Sequence, residues 1–166
     1  MNTEIENYIE QYSGDLTRFC MSLCGNRADA EDLFQDTWVK AIRHFKRYRT
    51  EMPFVNWLFA ICANTYKNQV SAAHRRKRCS FSSDEERDAF FGAVPDAMED
   101  NIGEYDALHE AVGSLPKKQR LVVTLYYFRD FNIRDIAAIL KIPEGTVKSR
   151  LSEARRSIKR LTIKSQ

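Results

Sequence analysis

Hydrophobic residues recur at helical spacing in several stretches of the chain, and the last two stretches flank a short break. The first of these two carries an apolar stripe made of Ile133, Ile136, Ala137 and Leu140. Asn132 precedes that stripe as an N-cap, and Pro143 stops the helix because proline cannot continue one from within, so the break covers residues 141–144. In the second stretch the inward positions are Val147, Leu151, Ala154, Ile158 and Leu161. Two amphipathic helices around a tight break predict a helix-turn-helix.

The other side of the second helix carries hydroxyl and charged groups that suit a DNA groove. Ser, Arg and Glu side chains can bond base edges, while Lys and Arg neutralise phosphates. The candidate DNA-contacting residues are Thr146, Lys148, Ser149, Arg150, Ser152, Glu153, Arg155 and Arg156. A basic helix that merely faces solvent is the alternative, and the preceding helix and the tight break favour DNA binding over it.

Three further helical patterns lie in the N-terminal half, predicted at residues 8–24, 27–45 and 53–74. In the helix 27–45 the inward stripe is Ala30, Phe34, Trp38, Ala41 and Phe45. In the helix 53–74 the expected core residues are Phe54, Trp57, Leu58, Ile61 and Thr65, and the opposite side holds Asn56, Ala60, Asn64 and Lys67. A helix at 114–128, preceded by a short one, completes the pattern. The predicted fold class is therefore all-α.

The outer side of the predicted helix 27–45 begins with three aspartates, Asp29, Asp32 and Asp36. Carboxylates at a helix N-terminus favour the helix dipole, which accounts for the first of them. Asp36 lies beyond the first turn. The dipole therefore does not explain the whole acidic side.

A basic loop at 46–52 contains Tyr48, and the helix after it leads into the basic run HRRKR at 74–78. Cations can follow a nucleic-acid backbone while an aromatic or polar pocket takes an unstacked base. This combination predicts a surface for single-stranded nucleic acid. The alternative is a solvated basic run at the edge of a domain.

Charge is distributed unevenly around a net charge of +3. Lys and Arg outnumber Asp and Glu by 12 to 9 in residues 1–79 and by 13 to 5 in residues 107–166, whereas residues 80–106 carry 1 against 9. The middle segment also lacks a clear helical period and contains Ser, Gly and Pro. We therefore predict two small helical domains, 1–79 and 105–166, joined by a flexible acidic linker at 80–104.

Composition excludes several other classes of protein. No stretch approaches the roughly 20 apolar residues of a membrane span, and the N-terminus is acidic, unlike a signal peptide, so a cytoplasmic location is expected. The four cysteines, Cys20, Cys24, Cys62 and Cys79, form no C-x-x-C pair and have few histidines nearby. We expect buried, reduced thiols, no metal site and no cofactor, with redox sensing as the lesser alternative.

Three segments together resemble the extracytoplasmic-function sigma factors of bacterial RNA polymerase. They are DAEDLFQDTWVKAI at 29–42, PFVNWLFAICANTYKN at 53–68, and the stretch at 114–161 that begins SLPKKQRLVV and contains GTVKSRLSEARRSIKRL. The resemblance spans both predicted domains in order. It implies the sigma-two and sigma-four domains of a promoter-specific initiation factor, which is not an enzyme and uses no small-molecule substrate.

The resemblance also implies roles for residues. Asp29, Asp32, Gln35 and Asp36 match the segment that docks on the beta-prime clamp coiled coil of core polymerase. The residues matching those at the minus-ten element are Lys46, Tyr48, Arg49, Trp57, Asn64, Lys67, Arg75 and Arg76. The candidate DNA residues of the C-terminal helix match those that read the minus-thirty-five element. Further implied partners are the beta flap and an anti-sigma factor, often one that is bound to the membrane.

One position departs from the family pattern. Many relatives read W-L-[FY]-R-I-A-x-N where this chain reads WLFAICAN, so Ala60 replaces an arginine. Any contact made by that arginine is lost here, which changes the expected minus-ten preference.

Two other functions are compatible with parts of the pattern. A stand-alone helix-turn-helix regulator would form a dimer on a palindromic operator, independently of polymerase. A metal-dependent nuclease would use Asp29, Asp32 and Asp36, although these lie along a convex helix face without a histidine to complete a site. Promoter-directed transcription with core polymerase distinguishes the three.

Overall fold

The structure is a computed structural model that describes residues 3–49, 51–69 and 102–164. Within these ranges every regular element is helical, which confirms the all-α prediction. The chain divides into two compact units, residues 1–95 and 96–166. No helix in the described ranges has the length and apolar character needed to cross a membrane.

The first unit contains α1 (Thr3–Leu23), α2 (Arg27–His44), a short 3-10 turn (Phe45–Arg47) and α3 (Phe54–Asn68). The prediction that α3 extends to residue 74 is wrong, because Gln69 already has an extended backbone with ψ of 127°. The Gln69 side chain donates to the Asp29 carbonyl at 3.0 Å, so the chain leaves the helix where it meets the start of α2.

The core of this unit is formed by all three helices. Phe19 of α1 stacks on Phe59 of α3 with ring centroids 4.6 Å apart, and the Tyr66 hydroxyl donates to the Leu23 carbonyl at the end of α1. The buried side of α3 is broader than predicted because α3 packs against both α1 and α2. Asn56, expected on the polar side, is only 9% exposed, whereas Ile61, expected in the core, is partly exposed.

The second unit contains α4 (Ile102–Gly113), α5 (Lys117–Val123), a π-helical segment (Thr124–Phe128), α6 (Ile133–Leu140) and α7 (Glu144–Lys164). The long helix α7 packs against α4, α5 and α6. Its buried stripe is formed by Val147, Leu151 and Ala154, as predicted. Leu161, expected to continue the stripe, is 38% exposed, so the burial of α7 ends before this residue.

Local hydrogen bonds and backbone conformation determine where α6 begins and ends. The Asn132 side chain accepts from the Asp135 N–H at 2.7 Å, which confirms the predicted N-cap. Helix α6 ends because Lys141 adopts the left-handed conformation, with φ of 55°, and its N–H bonds the Ala137 carbonyl. Pro143 therefore does not stop α6; its carbonyl accepts from the Val147 N–H and starts α7.

Arg120 closes the turn between α4 and α5. Its guanidinium donates to the carbonyls of Val112 at 3.1 Å and Leu115 at 2.8 Å, and also to that of Gly113. The last carbonyls of a helix have no intrahelical partner, so one side chain satisfies the end of α4. This connection holds α4 against the start of α5.

We expect Arg120→Met to destabilise the second unit, because methionine keeps the aliphatic stem and loses the charged donors. Hydrogen bonds to charged groups contribute about 2 kcal/mol, which corresponds to a decrease in Tm of about 10 °C for a small domain. Thermal unfolding of the full chain measures the Tm, and hydrogen exchange at α4 measures the stability of that helix. Lys118→Met, at an exposed neighbouring position, is the control; equal Tm values for the two variants would contradict the assignment.

Candidate nucleic-acid and polymerase interfaces

The polar side of α7 is accessible along its length. Of its candidate DNA residues, Thr146 and Arg150 are partly exposed, and the exposed ones are Lys148, Ser149, Ser152, Glu153, Arg155 and Arg156. The buried stripe fixes the opposite side of the same helix, so these groups point away from the core. The arrangement provides a convex, mainly basic ridge of the size that a major groove admits.

The two flanks of this ridge are tied to the rest of the unit. On one flank, Arg155 Nε donates to the Tyr127 hydroxyl, and the guanidinium lies 5.7 Å from the Tyr126 ring centroid and 5.6 Å from that of Tyr127. The bond to Tyr127 raises the pKa of Arg155 above its ordinary value. On the other flank, Gln119 Nε2 donates to Glu153 Oε2 at 3.4 Å. The sequence did not predict these contacts of Gln119, Tyr126 and Tyr127, because they join residues far apart in the chain.

The acidic side of α2 differs from the prediction. Asp32 is only 6% exposed, so it does not lie on an open surface. Asp29 is engaged by the N-cap of its own helix: the Asp29 N–H donates to Asn26 Oδ1 at 2.9 Å, and the Asp29 carboxylate accepts from Asn26 Nδ2 at 3.0 Å. Gln35 is exposed and Asp36 is partly exposed.

Two apolar side chains lie on the accessible side of α2. Val39 is 53% exposed and Ile42 is 39% exposed, one and two turns after Gln35. Val39 follows Asp32 and Asp36 at helical spacing, so it continues the outer side of α2, whereas Ile42 lies off that spacing. The accessible surface of α2 is therefore apolar at its centre and has polar groups at its N-terminal end.

The basic loop before α3 rests on an aromatic cluster. Its members are Tyr8, Tyr12, Phe45, Tyr48, Phe54 and Trp57. Tyr8 and Phe54 are parallel, with centroids 3.9 Å apart, and Tyr48 contacts Phe54 edge-on at 5.4 Å and Trp57 at 5.2 Å. The Tyr48 hydroxyl donates to the Met52 carbonyl at 2.7 Å, closing the loop. Burial raises the pKa of Tyr48, with smaller contributions from Tyr8, Tyr12 and Glu4.

The other minus-ten candidates lie around this loop and on α3. Lys46, Arg49, Asn64 and Lys67 are exposed, and Trp57 is partly exposed. Lys40 of α2 donates to the Thr65 hydroxyl at 3.2 Å, which joins α2 to the same helix. Arg75, Arg76 and the rest of the basic run lie outside the described residues, as does the predicted linker up to residue 101.

Two of the cysteines meet inside the core of the first unit. Cys20 and Cys62 are fully buried, with their sulfur atoms 3.8 Å apart, and Cys24 is partly exposed. Burial, and then the contact with Cys62, raises the pKa of Cys20 well above its ordinary value. A thiol that stays protonated is a poor nucleophile. Cys79 lies outside the described residues.

The fold and these surfaces define a two-domain transcription protein with a helix-turn-helix, and comparison with known proteins gives its family. Residues 8–77 match sigma-70 region 2, and residues 105–158 match sigma-70 region 4. The RNA polymerase sigma-H factor of Pseudomonas aeruginosa is 32% identical over 139 residues, covering 78% of this chain and 71% of that protein. The ECF RNA polymerase sigma factor SigM of Bacillus subtilis is 29% identical over 157 residues, covering 95% and 94%.

A solved structure agrees with this similarity. The sigma factor RpoE of Bartonella quintana, crystallised with the anti-sigma factor NepR, superposes with a TM-score of 0.73 at 26% identity, covering 97% of this chain and 98% of that one. The chain belongs to the extracytoplasmic-function sigma factors of RNA polymerase. It is an alternative sigma factor that directs promoter-specific initiation, and its family is one of non-enzymatic initiation factors.

We predict that Cys20 and Cys62 resist alkylation at neutral pH, because both thiols are fully buried away from the reagent and burial also raises the pKa of Cys20. Cys24 should react with iodoacetamide faster than either of them by more than about tenfold, as measured by peptide mass spectrometry of the folded full chain. The three should react at similar rates in denaturant, which serves as the control. Labelling of Cys20 as fast as Cys24 in the folded chain would contradict the prediction and would restore redox sensing as an alternative.

Proposed function

We propose that the minus-thirty-five element is read by the exposed side of α7, within a chain that also binds core polymerase and the minus-ten element. The observation that carries the proposal is the division of α7 into a buried stripe and an accessible basic side. A helix held in this way can enter a major groove while its cations contact the phosphates on either side. The helix N-terminus is the part proposed to enter the groove, where Ser149 and Ser152 reach the bases and Lys148 neutralises a phosphate beside them.

We further propose that the minus-ten element binds at the loop 46–52 and at α3. Lys46, Arg49 and Lys67 are exposed around the aromatic cluster, where they can follow the strand backbone, and Asn64 is exposed where it can bond a base. Tyr48 holds the loop in place, because its ring packs in the aromatic cluster and its hydroxyl donates to the Met52 carbonyl. Arg75 and Arg76 extend this surface in the proposal. An arginine at position 60 would lie on the same helix, so Ala60 alters the base preference.

For the beta-prime clamp coiled coil we propose the accessible side of α2. Gln35 and Asp36 supply polar contacts, and Val39 and Ile42 supply the apolar centre, since interfaces combine a desolvated core with a polar rim. Asp29 and Asp32 act indirectly, Asp29 by binding the N-cap residue Asn26 and Asp32 by packing within the unit. Their engagement within the fold also argues against a nuclease that would need both as metal ligands.

The second unit has an apolar groove of about 480 Å³. It is lined by Leu108, Val112, Val123, Tyr127, Phe128, Arg155, Ile158 and Lys159. Its apolar walls and two cations suit a short amphipathic segment with acidic residues. We propose that the beta flap of core polymerase occupies this groove, and that an anti-sigma factor held at a membrane inhibits by competing for it.

Promoter-directed transcription with bacterial core polymerase tests the function as a whole. The purified chain should bind core and start transcripts at defined sites on a promoter library. Loss of either property in a folded chain would contradict the proposal. A stand-alone regulator would instead bind an operator without core.

We expect Val39→Glu to weaken core binding by about tenfold or more, because the charge must be desolvated at the centre of the interface. Titration of labelled chain with core polymerase measures the affinity. Met21→Glu is the matched control, since Met21 of α1 is also exposed, at 43%. Equal core affinities for the two variants would remove Val39 from the proposed surface.

Lys148→Ala should weaken promoter binding by the holoenzyme with little dependence on promoter sequence, because a lysine that neutralises a phosphate releases one counterion. The slope of log K against log salt concentration should fall by about 0.9. Binding of the holoenzyme to promoter DNA at a series of salt concentrations measures this slope. Arg18→Ala, on α1, is the control; an unchanged slope for Lys148→Ala would place that lysine away from the DNA.

A further inference from the structure

The carboxylate of Glu153 is oriented by a neighbouring helix. Glu153 is exposed on the polar side of α7, and Gln119 of α5 donates its amide N–H to Glu153 Oε2 at 3.4 Å. The opposite orientation of the amide would bring Gln119 Oε1 against the carboxylate and repel it, so Glu153 also sets the orientation of Gln119. The bond leaves Glu153 Oε1 available at the accessible surface.

We infer that Gln119 is a positioning residue for Glu153 and that Glu153 selects a cytosine in the minus-thirty-five element, an inference that rests on the proposed role of α7. A carboxylate only accepts hydrogen bonds. In the major groove cytosine presents an amino donor, guanine presents two acceptors and thymine presents an acceptor and a methyl group. Adenine places its N7 acceptor beside its amino group, which repels a carboxylate.

Ser149 strengthens this preference. It lies one helical turn before Glu153, on the same side of α7. Its hydroxyl donates to the Thr146 carbonyl at 3.1 Å, so its oxygen presents lone pairs outward. Ser149 and Glu153 therefore form a strip of acceptors beside the basic residues of α7. A base edge that faces this strip is favoured when it offers donors.

The contact between Gln119 and Glu153 is long and lies at the surface, so it contributes little to folding. Its loss should change the selection of the base and leave Tm unchanged. This separates a positioning role from a purely structural one. A lysine at position 119 would also donate to the carboxylate, and a leucine would not.

The test selects promoters with the holoenzyme from a pool in which the minus-thirty-five element is randomised. The wild-type chain should prefer cytosine at one position by about tenfold. Glu153→Gln should move that preference to adenine, because glutamine bonds both the adenine amino group and N7. Gln119→Leu should reduce the cytosine preference at the same position and at no other, and Gln119→Lys should retain it. Lys118→Leu, next to Gln119, should change nothing.

Two results would overturn the inference while the proposed function stands. One is that the wild-type and Glu153→Gln holoenzymes show the same base preference at every position of the minus-thirty-five element. The other is an effect of Gln119→Leu that is accompanied by a lower Tm and spread over all positions. If the wild-type holoenzyme selects no promoter, the proposed function fails and the inference fails with it.

Discussion

Burial of the apolar stripe on α7 is the interaction on which the second unit depends. Val147, Leu151 and Ala154 pack against the other helices of the unit, so the polar side of α7 is left at the surface. A helix can present a reading surface only if its opposite side is held without freedom to rotate. The left-handed residue Lys141 ends α6, the Pro143 carbonyl accepts the first bond of α7, and Arg120 closes the turn that leads into α5.

In the first unit, too, the residues that hold a surface in place differ from the residues exposed on that surface. The aromatic cluster holds the loop 46–52 through the Tyr48 ring and hydroxyl, while exposed cations surround it. In α2, Asp29 binds the N-cap residue Asn26 and Asp32 is buried, whereas Val39 and Ile42 are at the surface. Residues that match a family motif can therefore maintain a helix without lying on its accessible surface. Promoter recognition then needs no covalent chemistry, because binding alone offsets the unstacking of bases.

Periodicity predicted the helices well because each helix buries one stripe. The N-cap at Asn132 and the stripe of α7 were found from local sequence, since both depend on residues within two turns. Errors arose where a helix packs on more than one neighbour. Asn56 is buried because α3 contacts both α1 and α2, and Asp32 is buried although its spacing placed it outside.

Spacing along the chain was enough to predict the helical class, the helix-turn-helix and the residues that match the sigma-factor family. Which of those residues are available to a partner depends on how the helices pack. Contacts between distant positions, Gln119 with Glu153 and Tyr127 with Arg155, commit each side chain to one flank of α7. Such pairings join residues more than two turns apart, beyond the reach of any helical period.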